Sequence, residues 1–235
     1  MNVTATGLTK AAGAAAAVAG AIFISVQVGH PPFDSFTTET TQWVVRSCAK
    51  TVMAALALAG ITGIYLRQYR QAGLLGLVGY LVFAAGYLAI LSPEVNAAAV
   101  LPNHVDTEPG FVNDVVTAAA GNAPEGDIGG VQTLLHLMGV GYLLGGLLFG
   151  IALFRAAVLA RWAAVLLAVS TVGTAALAVL PQAFDRPMAV PEGIALIGLG
   201  VSLWRNPGDR PTPSAAPSPG AAAAAAGRLE RSAVR

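Results

Sequence analysis

Long apolar runs alternate with short polar breaks along this chain. Residues 11–33, 71–93, 128–154 and 162–184 contain no Asp, Glu, Lys or Arg. Each exceeds the roughly 20 residues that a helix needs to cross a ~30 Å hydrocarbon core. Residues 51–66 make a shorter run, which Lys50 and Arg67 can complete by snorkelling. The sixth run, about 188–204, holds Pro191 and Glu192 and is the weakest. In lipid every backbone polar group needs an internal partner, so such runs are helices. The pattern predicts an all-α fold, a polytopic bundle of six transmembrane helices. The spans fall at about 9–31, 48–67, 71–93, 130–154, 160–182 and 188–205, with an outer loop over 95–127. Lys10 before an Ala-rich run resembles a secretory signal, but the apolar stretch is long and its end is a poor cleavage context. The first span is therefore expected to stay as a helix.

The ends of the runs rhyme. The even-numbered spans close on Gly63-Ile64-Tyr65-Leu66-Arg67, on Gly150 to Arg155, and on Gly200-Val201-Ser202-Leu203-Trp204-Arg205. The odd ones end at Pro31 and Pro32, Pro93 and Pro181. This suggests three helical-hairpin repeats, although Pro and Arg also favour membrane ends on their own.

Charge then gives the pattern a direction. With six spans and the N-terminus inside, the inner side holds Lys10, Arg67, Arg70, Arg155, Arg161, Arg205, Arg210, Arg228, Arg231 and Arg235. The outer side holds Arg46, Lys50 and Arg186. That asymmetry favours both termini in the cytoplasm. Ten of the twelve acidic residues fall outside, all but Asp209 and Glu230. The composition agrees: 55% of the 235 residues are hydrophobic and 11% charged, against roughly 25% charged in a soluble domain. A net charge of +1 points away from nucleic acid. Cys48 stands alone, which excludes an intrachain disulfide and a cysteine-based metal site.

Small residues mark contact faces between helices in lipid. In the fourth span, Gly141 with Gly145 and Gly146 with Gly150 point to neighbours on more than one side. There His136, Gly139, Leu143, Gly146 and Gly150 share a stripe, which turns His136 toward protein. The first span carries Gly13, Ala17, Gly20 and Gln27, with His30 beside them. The second carries Lys50, Met53, Ala57 and Gly60, and the sixth Glu192, Ala195, Leu199 and Ser202. Gln27, His30, Lys50, His136 and Glu192 are thus the candidate ligand- or proton-binding residues, near the outer ends of their spans. An ionisable side chain inside a membrane must be neutral, paired or facing water. Lys50 is the expected partner of Glu192, with His136 second. A metal held by His30, His136 and Glu192 is the weakest option, and no cofactor is expected.

In the outer loop, Val112, Val115, Val116 and Ala119 follow helical spacing. Thr107 and Pro109 resemble a start, and Gly121 a stop. A short amphipathic helix lying over the outer mouth is expected, either as a lid or as a cover for the bundle ends. From residue 206 onward, prolines and an Ala run predict a disordered cytoplasmic tail.

No phosphate-binding Gly-Lys-Ser/Thr loop, zinc-protease motif or serine-nucleophile motif is present, which weighs against an enzyme. Through Gln27-Val28-Gly29-His30-Pro31-Pro32, residues 193–200 and the Ala/Gly-rich spans, the chain resembles small integral membrane proteins of high-GC bacteria that carry domain-of-unknown-function labels. The resemblance implies a bacterial inner-membrane location and supplies no activity to carry over. The functional expectation is a structural or accessory membrane protein. A small-solute or proton-coupled carrier comes second and an intramembrane metalloenzyme last. Its surroundings would be the lipid bilayer, with room for an unidentified membrane-protein partner or a homo-oligomer.

Overall fold

The computed structural model describes residues 3–33, 36–175 and 186–208. The expected tail from 209 onward, Asp34, Pro181 and Asp185 lie outside these. Among the described residues there are α-helices and 3-10 turns and no strand. The α-helices are α1 (Ala5–Ser25), α2 (Thr40–Ala99), α3 (Pro109–Ala119), α4 (Gly130–Ala156), α5 (Arg161–Gly173) and α6 (Ala189–Arg205). Three described segments are long and apolar enough to cross a membrane: Ala5–Ser25, Thr40–Asn103 and Gly130–Ala156.

Helix α1 starts where Thr4 Oγ1 accepts a hydrogen bond from Gly7 N at 3.1 Å. It ends earlier than the apolar run suggests. The Arg46 guanidinium donates to Val26 O at 2.7 Å and Gly29 O at 2.8 Å, supplying the partners that carbonyls past the last helical turn lack. Gln27 and His30 therefore sit in the turn beyond α1, not on it.

A straight helix as long as α2, 60 residues, would measure about 90 Å. The chain instead breaks at Gln68 (φ −138°, ψ 22°) and Gly73 (φ 59°, ψ −156°). The second conformation is essentially reserved for glycine. Arms 40–67 and 74–99 fold back on each other. Thr62 Oγ1 lies 3.0 Å from Tyr80 Oη, and the Tyr65 and Tyr80 rings stack at 4.7 Å. Further out, Lys50 Nζ meets Glu94 Oε1 at 3.4 Å. Moving back along one arm matches moving forward along the other, as in an antiparallel hairpin. The second arm runs through Pro93, where the sequence suggested a stop, and continues to Ala99. In α6, Pro191 falls in the first turn, where a missing N–H costs nothing.

The helices close into a ring in chain order. Gly79 lies against Phe149 and Gly86 against Tyr142, so seven residues forward on α2 meet seven back on α4. Gly13 faces Gly200 and Gly20 faces Gly193, pairing α1 with α6. Gly60 and Gly63 meet Ala16 and Ala12, Gly150 meets Ala168, and Gly198 meets Trp162. Every neighbour is antiparallel. On α4, Gly141 and Gly145 serve α2, while Gly146 and Gly150 serve α5. A Cβ on Gly86 would lie 2.7 Å from Tyr142 N, and one on Gly13 2.7 Å from Gly200 O. Such close backbone approach is what holds helices together in lipid.

Large side chains point outward instead. Leu74, Leu81 and Leu88 are 75%, 54% and 59% exposed, on the arm that buries Gly79, Phe83 and Gly86. A water-soluble surface avoids apolar faces this broad. At one end of the ring, α3 buries Val112, Val115, Val116 and Ala118 against Trp43, Leu101 and Leu135. Ala118, not Ala119, completes that stripe, and Gly121 (φ 82°) follows it. Arg46, Lys50 and Arg186 gather at this end. Lys10 lies over the Trp204 ring at the other, where Arg67 Nε donates to Asn206 O at 2.9 Å and caps α6.

Candidate functional site

Beside the end of α3, the helices surround a cavity of about 670 Å³. Gln27 and Phe33 from the turn after α1 line it, with Lys50, Tyr87 and Glu94 from α2 and Met138, Gly139 and Tyr142 from α4. Thr174, Arg186 and Met188 close another side, and residues 119–122 border it at the end of α3. The hairpin of α2 places Lys50 and Glu94 across from each other. Their side chains are only 15% and 19% exposed, so water screens the pair weakly. Lys50 Nζ also stands 5.9 Å from the Trp43 ring centroid. The wall combines ionic, hydroxyl and amide groups with apolar ones, and its volume suits a small molecule.

Glu192 lies deeper, in the first turn of α6 and 1% exposed. Its Oε2 is 2.8 Å from Ser170 Oγ on α5. The Tyr142 and Tyr87 hydroxyls flank the carboxyl, and both tyrosines also line the cavity. Glu192 Oε1 and Tyr87 Oη are buried without a well-formed hydrogen bond. Two incompletely satisfied polar atoms thus neighbour each other in the protein interior, where such atoms are rare.

The expected Lys50–Glu192 pair is not formed. Lys50 pairs with Glu94, which reading α2 as ending at Pro93 had placed beyond the helix. Read through the proline, Tyr87, Ile90 and Glu94 share one face, and that spacing was the missed signal. Ser170, Tyr87 and Tyr142 were missed because a hydroxyl in an apolar run carries no charge to draw notice. Gln27 does line the cavity. His30 does not line it. The Pro31 carbonyl, 2.8 Å from Nδ1, can only accept, so Nδ1 carries the hydrogen, and Nε2 is buried without a partner. The ring meets Trp43 edge-on at 4.7 Å.

His136 corrects the expected stripe. It is exposed, with Nε2 2.9 Å from Gln132 Nε2, and Gly139 has open space where a Cβ would stand. The stripe becomes a contact face only from Gly146 inward, because Gly139 lines the cavity. His30, His136 and Glu192 therefore do not converge. Among the described residues no three His, Cys, Asp or Glu side chains could share a metal ion.

No family model, curated protein or solved structure matches the chain.

Proposed function

We propose that this chain is a six-crossing inner-membrane protein that binds a small amphiphilic molecule in the cavity beside the end of α3. The crossings are α1, the two arms of α2, α4, α5 and α6, grouped as three successive hairpins. The basic-residue bias supports both termini in the cytoplasm and α3 outside. The broad belt of exposed leucines supports a lipid surround, and α3 with residues 119–122 acts as a cover.

The observation that carries the binding reading is the cavity itself. Helices joined only to support one another close on small residues, as α4 and α5 do from Gly146 inward. Here the helices instead surround a space whose walls carry an ion pair, an amide and two tyrosines. Extraction of the protein with its native lipid in polymer discs, followed by native mass spectrometry, tests this. A small bound molecule is expected. Gly139→Phe should lower its occupancy by about tenfold or more, the equivalent of ~1.4 kcal/mol, without lowering the melting temperature. Unchanged occupancy in that variant would sink the binding reading.

The accessory reading keeps one specific support. Lys50–Glu94 joins the two arms of α2, and Ser170–Glu192 joins α5 to α6. Buried polar pairs of this kind can serve geometry alone. Discs that carry a companion protein and no small molecule would favour it.

A further inference from the structure

Hydrogen-bond counting around Glu192 leads one step further. Ser170 Oγ lies 2.8 Å from Glu192 Oε2 and 3.1 Å from Leu167 O. Its single hydrogen can serve one of these acceptors. An ionised Glu192 would take that hydrogen. A protonated Glu192 donates to Ser170 Oγ instead, and Ser170 then donates to Leu167 O, so both contacts are satisfied. Among the described residues, the groups that act on the carboxyl are Ser170, Tyr142 and Tyr87, and none of them is a cation. Among the described residues Lys50 pairs with Glu94, α1 offers Gly20 and Ile24 to the adjoining Gly193, and α5 offers Ser170. Tyr87 from α2 and Tyr142 from α4 are the titratable groups that face the carboxyl. An uncompensated buried carboxylate is expensive to hold, so the group is suited to carrying a proton.

We propose that Glu192 is a reversible proton-binding site that exchanges with the cavity through the Tyr142 and Tyr87 hydroxyls. On release, the carboxyl turns its O–H from Ser170 toward a tyrosine, that O–H bond breaks and its proton bonds to the tyrosine Oη. That oxygen hands its own hydrogen to a cavity water, which leaves as hydronium. The tyrosine stays neutral and Glu192 becomes a carboxylate that draws the Ser170 hydrogen. This reading rests on the cavity holding water and needs no ligand, so its failure is separable from failure of the binding reading.

Infrared difference spectroscopy of the protein in lipid vesicles, between acid and alkaline baths, provides the test. The wild type should show the C=O stretch of a protonated, desolvated carboxyl that rises on acidification. Glu192→Gln should lose it. Ser170→Ala should keep the band at a shifted frequency, which tests the assignment even if Glu192→Gln fails to fold. Replacing both tyrosines (Tyr87→Phe, Tyr142→Phe) should slow hydrogen–deuterium exchange of that carboxyl about a hundredfold, the lower end of what positioned proton transfer contributes. The proposal is overturned by a band that persists unchanged at every bath pH. It is equally overturned by no band attributable to Glu192, a band unmoved in Ser170→Ala, or exchange indifferent to the tyrosines.

Discussion

The Lys50–Glu94 pair shows what one residue decides. Each charge is largely withdrawn from water and neutralised by the other. Removing one partner leaves its mate stranded, whereas removing both leaves an apolar contact. Lys50→Met or Glu94→Leu alone should each destabilise by about 1–3 kcal/mol, less than a fully buried pair because some water reaches both groups. The double replacement Lys50→Met, Glu94→Leu should recover most of that loss. A double-mutant cycle on thermal unfolding in detergent checks it, and additive losses would contradict the pairing. Gly86 makes the opposite point, since it matters through what it lacks. Gly86→Val should cost about 1–3 kcal/mol, because its Cβ would press on the Tyr142 backbone, while Gly139→Ala should be near neutral. Comparing their melting temperatures separates close packing from intrinsic helix preference. Single residues of this kind were partly legible in the sequence. Glycines at helical spacing announced contact faces, but nothing local told which acid would find Lys50, because that partner lies 44 positions away. His136 misled for a related reason. Helical periodicity extends a face indefinitely, whereas neighbouring helices stop touching it.

At the scale of elements, boundaries depended on chemistry outside the helix. The uncharged run through Phe33 implied a helix to about residue 31, yet α1 stops at Ser25, where Arg46 from the next helix satisfies the carbonyls beyond. A proline marked a stop that α2 ignores, and Pro191 weakened a helix whose first turn it suits. Element type was readable, because long uncharged apolar runs favour internally bonded backbone. Element ends were not, because caps come from distant side chains. The hairpin of α2 supplies a prediction at this scale. Gly73 has open space around it, so a new methyl group meets nothing, and its positive φ with ψ near −156° still excludes other residues. Gly73→Ala should therefore lower stability by about 1–3 kcal/mol through backbone strain alone. Thermal unfolding checks this, and an unchanged melting temperature would mean that the turn adopts another conformation.

For the molecule as a whole, small residues hold a ring of six antiparallel helical segments closed at one end. At the other, the ring opens around a chamber of mixed polar and apolar walls, bordered by the end of α3. The closed end carries Lys10, Arg67 and Arg205 and the open end Lys50, Glu94 and Arg186, so the charge bias and the position of the cavity are one statement about sidedness. Impermeant maleimide labelling of intact spheroplasts tests it most directly. Cys48→Ala removes the chain's one cysteine. Single reporters can then be placed at the cavity rim (Asn122→Cys) and just past α6 (Asn206→Cys). The account predicts that Asn122→Cys is labelled from outside and that Asn206→Cys reacts only after the membrane is permeabilised. Labelling of Asn206→Cys in intact spheroplasts, with Asn122→Cys protected, would contradict it.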